Sequence, residues 1–204
     1  MDLTQTRTSL HAVAELLLAG PQYDACGDIR LRVVPGGIAT VAEPDLRLVG
    51  SELRGPKGRH PLTGTYAAAA AALGVAPRSL GDVYSDTVDV VAGDVMVTDD
   101  DHVALLLDAF ARGDAALRAF CASEEPVLWP EHFDIGISWD EVNYGVSPGD
   151  TVIPEPYAYV GPWTRRQGHF WNHSFGAARA MAELDDVAAF FREGAERAAA
   201  DLPA

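Results

Sequence analysis

The run from Phe133 to Val146 constrains this chain most, because apolar residues fall at every second position on both sides of Asp140-Glu141. With that pair as the loop, Trp139 stands opposite Val142, Ser138 opposite Asn143, Ile137 opposite Tyr144, Gly136 opposite Gly145, Ile135 opposite Val146 and Asp134 opposite Ser147. Side chains alternate with period two on a strand. Phe133, Ile135, Ile137, Trp139, Val142, Tyr144 and Val146 therefore share one face, and His132, Asp134, Ser138, Asn143 and Ser147 share the other. The first face is expected in a core. The second carries a facing pair of glycines, which is unfavourable in a strand interior unless a bulge, a bend or a close-approaching group needs the room. A sheet with its second face simply wet is the competing explanation. Asp-Glu is an unusual two-residue turn, since Asn-Gly or Asp-Gly is preferred, and a longer loop would exchange the two faces.

The remaining elements follow from periodicity and breakers. Leu10, Val13, Ala14, Leu17 and Leu18 predict an amphipathic helix over Ser9–Ala19, capped by Thr8 or Ser9 and stopped by Gly20-Pro21. Ile29–Val34 and Ile38–Val41 flank Pro35-Gly36-Gly37, a hairpin in which proline sets the first turn dihedral and glycine supplies the positive φ. Asp45–Leu53 reads as a third strand, and the basic, breaker-rich segment from Gly55 to Pro61 as a loop. That loop is either a solvated tip or an attractor of anions. An alanine run predicts a helix over Thr63–Leu73, with Gly74 at its C-terminus. The pattern weakens from Val75 to Val97, where only Val88–Val91 suggests an edge strand. Asp99-Asp100-Asp101 opens a helix reaching Phe120 or Cys121, with Gly113 as its weak point, since carboxylates favour helix starts. Tyr157–Trp163 and His169–Phe175 read as further strands, and Glu183–Asp201 as an amphipathic helix.

These elements predict an α+β fold, with antiparallel β-sheet packed against three or four amphipathic helices. The 204 residues suit one domain, or two packed halves over 1–98 and 99–204. A net charge of −15 with a single lysine, Lys57, argues against nucleic acid and anionic membranes, and is compatible with a cationic or neutral small ligand. The apolar run Ala12–Ala19 contains Glu15, lacks a basic flank and is too short to span a bilayer, which points to a cytoplasmic protein. Cys26 and Cys121 sit in no metal or redox spacing and are expected as reduced thiols, with one disulfide as the alternative.

The candidate site is the polar face and the ends of the 131–150 hairpin. His132 and Asp134, two apart on a strand, would point the same way as a proton-transfer group and its orienting partner. Asn143 would donate to a ligand, Trp129 and Trp163 would form walls, and Glu131, Tyr144 and Asp150 would complete the lining. His173, Glu155 and Asp150 could extend a metal shell, but no metal-site spacing supports one, and neither metal nor cofactor is assigned. No nucleophile elbow or phosphate-binding glycine motif occurs. Whether the chain is an enzyme stays open. The alternative is a non-catalytic interaction protein, its polar face covered by another subunit in a homo-oligomer.

The runs Leu128–Asp134 (LWPEHFD), Asn143–Asp150 (NYGVSPGD) and Pro156–Trp163 (PYAYVGPW), with Arg30–Gly37 in the N-terminal half, resemble a group of actinobacterial hypothetical proteins. The resemblance implies a soluble bacterial cytoplasmic protein and assigns no catalytic residue.

Overall fold

The computed structural model describes residues 2–201. The chain is α+β, with its sheet pairings antiparallel, and it divides into two compact units. The first comprises residues 1–111 and 128–133, the second residues 112–127 and 134–204.

A helical run opens the first unit: α1 (Leu3–Ala12), a π-helical segment (Val13–Ala19) and α2 (Gly20–Cys26). It starts earlier than the apolar spacing suggests because Asp2 caps it, accepting from the Thr4 amide at 3.3 Å. Gly20-Pro21 does not stop it. Pro21 lies in the first turn of α2, where a missing N–H and a fixed φ cost little. Gly20 is required for space, since a Cβ there would sit 2.2 Å from the Arg78 carbonyl oxygen.

The sheet of this unit runs β6 (Val127–Trp129), β1 (Leu31–Val34), β2 (Gly37–Thr40), β3 (Arg47–Val49), β4 (Glu52–Gly55), β5 (Gly58–Pro61). The Pro35-Gly36 hairpin forms as expected, with Val34 opposite Gly37 and Gly36 at φ 73°. The single strand expected over 45–53 is instead two, reversed at Gly50, whose φ is 55°. The segment from Gly55 to Pro61 is a tight hairpin and an edge strand rather than a loop, because Pro56-Lys57 suffices as the turn. One face of the sheet carries the row Val33, Ile38, Leu48, Leu53 and His60, and it meets the π-helical segment and α3 (Tyr66–Leu73). Thr65 caps α3 and Gly74 ends it in the left-handed conformation. Val88–Val91 forms no strand; the stretch before it is held by the Arg78 amide donating to the Leu16 carbonyl and by the Glu15 carboxylate, which accepts from the Leu80 and Val88 amides.

In the second unit the order is β7 (Asp134–Trp139), β8 (Val142–Ser147), β9 (Tyr157–Pro162), β10 (Ala177–Ala180). The hairpin has the expected register from Ile135 opposite Val146 to Trp139 opposite Val142. Asp140 and Glu141 both adopt positive φ, 52° and 60°, the conformation such a turn requires. Residues 169–175 form no strand, and β10 takes the place next to β9 after Gly176, where a Cβ would fall 2.1 Å from the Val160 carbonyl oxygen.

The core face of β7–β9 packs on α5 (Val187–Ala200), capped by Asp186, and on the end of α4 (Asp100–Phe120). Gly113 is a contact point rather than a weakness, because a Cβ there would meet Val146 at 2.8 Å and Ile135 at 3.1 Å. Phe120, Tyr144 and Phe191 form its aromatic centre. No helix among the described residues is long and apolar enough to cross a membrane.

Candidate functional site

The face of the second unit opposite α5 is organised by Tyr159. In the strand register, Tyr159 lies opposite Gly145, which lies opposite Gly136. A Cβ on Gly145 would come within 2.5 Å of the Tyr159 ring and hydroxyl, and one on Gly136 within 3.1 Å of that hydroxyl. The ring thus crosses the two glycines, and its hydroxyl donates to an Asp134 carboxylate oxygen. The group that needed the glycines' space is this tyrosine, an aromatic filling a gap left by small cross-strand neighbours. Two residues earlier on β9, the Tyr157 hydroxyl donates to Asp150 at 2.7 Å. Asp150 also accepts from the amides of Val152 and Ile153, at 2.6 and 2.8 Å, which shapes the loop after β8. Burial raises both tyrosine hydroxyls above their usual range; the Asp134 charge adds to this for Tyr159, and the bond to Asp150 for Tyr157.

The tip of the same hairpin borders a cavity of about 440 Å³. Trp139 and Tyr144 supply aromatic surface, Asp140 and Glu141 come from the turn, and Glu196 from α5. Trp139 is 40% exposed and packs perpendicular to Phe120, with ring centroids 5.6 Å apart. Arg166 also borders the cavity, but its guanidinium donates to the carbonyls of Ala198 at 2.9 Å and Thr164 at 3.0 Å. Desolvation and the Asp140 charge raise the Tyr144 hydroxyl above its ordinary range, so it stays a neutral donor.

The residues expected from the sequence separate into two groups. Asp134, Asn143, Tyr144, Asp150 and Trp163 belong to the second unit. Asp134 and Asp150 are joined to tyrosines, while the Asn143 Oδ1 accepts from Ser138 Oγ at 2.8 Å and Trp163 Nε1 at 3.1 Å. Its NH2 group is left to donate elsewhere. Tyr144 points into the core side, away from these, and reaches the tip cavity.

Trp129, Glu131 and His132 belong to the first unit. His132 does not share strand alternation with Asp134, because residues 130–133 form a turn in which Phe133 takes a φ of 49°. The residue that the sequence reading missed nearby is His11 of α1. Its Nε2 lies 2.7 Å from the Pro130 carbonyl oxygen and its ring stacks on Phe133. Burial lowers its pKa, against the opposing effect of the Pro130 contact. Its spacing of four from Glu15 on a helix was the available signal.

Among the described residues, no group of three or more His, Cys, Asp or Glu side chains is placed to hold a metal ion. Cys26 and Cys121 are free thiols. A scan against protein-family models, a search of curated proteins and a search of solved structures each return no match.

Proposed function

We propose that the protein binds a small organic cation in the cavity at the tip of the β7–β8 hairpin. The cavity itself carries this reading: about 440 Å³ is within the size range of small-molecule sites, and a partly exposed tryptophan lines it together with three carboxylates. A cation over Trp139 would gain from the ring quadrupole and from Asp140, Glu141 and Glu196 at once. The chain's charge of −15 would raise the local concentration of such a ligand. Asp134 is engaged by Tyr159, and the proposal concerns binding rather than proton transfer.

Calorimetric titration with a quaternary ammonium probe such as choline tests it. Binding by the wild type and an at least tenfold loss in Trp139→Ala, with the far-UV spectrum unchanged, is the expected result. Equal binding by the variant, or equal binding of an uncharged isostere, overturns it. A second reading, an interaction protein, is favoured by the exposure of Trp163 (65%) and Phe175 (40%) in the same unit. Light scattering would show a dimer that Trp163→Asp dissociates.

A further inference from the structure

The first unit's sheet has a second face, opposite its helices, and the register places arginines there in a line. Arg47 on β3 lies opposite Arg54 on β4, and Arg54 opposite Arg59 on β5. Arg32 on β1 continues the row beyond Ala39 on β2, and its Nε donates to the Thr40 carbonyl at 3.1 Å. Like charges directly opposite one another on a sheet are unfavourable. These side chains are solvent-facing, so core packing does not require them: Arg47, Arg54 and Arg59 keep 43%, 44% and 69% of their side-chain surface exposed. Exposed positions that break a local rule of the fold are where function is to be sought.

The arginines are also held in place. Asp45, two residues before Arg47 and just ahead of β3, binds it with two bonds of 2.8 and 2.9 Å, and Glu52 binds Arg54 at 2.7 Å and approaches Arg59 at 3.5 Å. Lys57, the only lysine, turns the edge hairpin with its stem laid against Gly74 and its amide donating to Leu73 at 3.1 Å. A depression of about 470 Å³ is bordered by Arg47, Arg54, Lys57 and Arg59 with Asp45. With Glu52 included, four cations face two carboxylates, a surplus of two positive charges in a chain of net −15.

We infer that this arginine row is a binding site for a short oligophosphate, the linear phosphate chain of a small molecule. Guanidinium forks recognise phosphate oxygens in pairs. Three of them spaced by strand separations span about 10 Å, which suits a few linked phosphates rather than one. A long polyanion is disfavoured, because phosphates extending past the row would meet the field of an acidic protein. The site is independent of the hairpin-tip cavity.

The test is calorimetric titration of the full chain with tripolyphosphate, against sulfate at matched ionic strength. The wild type should bind tripolyphosphate, more weakly as sodium chloride is raised, and the Arg54→Gln/Arg59→Gln double variant at least tenfold less tightly. Should the double variant fail to fold, Arg59→Gln, at the most exposed of the three, reads the same loss. Unchanged affinity in the folded variants, no binding by the wild type, sulfate binding as tightly, or a single-stranded oligonucleotide binding more tightly than tripolyphosphate would each overturn the inference.

Discussion

The two units each present a sheet face turned away from their packed helices, and they finish that face in opposite ways. In the second unit the strands contribute glycines and two tyrosine rings, and polar groups pair with one another: Tyr159 with Asp134, Tyr157 with Asp150, Ser138 and Trp163 with Asn143. In the first unit the strands set three arginines side by side, which gain nothing from adjacency, with only Asp45 and Glu52 to pair them. Polarity alone therefore does not mark a site. A polar face whose groups are used up on one another belongs to the fold, whereas one whose cations outnumber the carboxylates that hold them has charge left for a ligand.

The largest effect should come from closing the glycine gap. Gly145→Val places a side chain against both the Tyr159 ring and the Ile135 carbonyl, and should destabilise the protein by about 3 kcal/mol in urea unfolding. Combining it with Tyr159→Ala should return part of that cost, since one of the two clashes disappears. A purely additive pair would show that the ring does not occupy the gap. Next comes Tyr159→Phe, which keeps the ring and removes the donor to Asp134, with an expected loss of about 2 kcal/mol. On the other face, Arg54→Thr should change stability by no more than about 0.5 kcal/mol, because relief of two opposed like-charge pairs offsets loss of the exposed Arg54–Glu52 pair. A loss of the size expected at Tyr159 would erase the distinction between the faces.

Titration sharpens the same contrast with smaller effects. Tyr157 and Tyr159 have folded pKa values above the ordinary 10.0, so their contribution is complete below pH 10 and is lost as pH rises beyond it. Asp45 is held below its ordinary 3.8, first by the hydrogen bond from Arg47, so its contribution is present above pH 3.8 and fades as pH falls below it. Thermal melts should show Tyr157→Phe flattening only the alkaline limb and Asp45→Asn only the acid limb. The acid effect is the weaker, because the Asp45–Arg47 pair is solvent-exposed.

The hairpin register was legible because burial on one side fixes alternation at every position from Ile135 to Val146, even with an atypical turn pair. The proline-glycine turn was legible because its two residues fix their own dihedrals. Elements decided by distant partners were not. Gly20-Pro21 looks like a stop until Arg78 is known to press against it, and β10 forms only where Gly176 lets the chain close on Val160. The hairpin-tip cavity needs Glu196 and Arg166, which no local pattern links to Trp139. The arginine row was hidden for another reason. Each carboxylate-x-arginine triplet, at 28–30, 45–47 and 52–54, is visible in the sequence, but only the register of β3 to β5 sets the latter two beside Arg59.

Glu15, in the π-helical segment, is fully buried, and its carboxylate accepts from the Ser79 hydroxyl at 3.2 Å and from the amides of Leu80 and Val88, both at 3.1 Å. One side chain thereby ties both ends of a stretch that has no regular structure of its own. Such a tether makes the opening of residues 79–88 a concerted event rather than a gradual fraying. Amide hydrogens at Leu80 and Val88 would then exchange with solvent at a common rate, governed by how often a single carboxylate lets go.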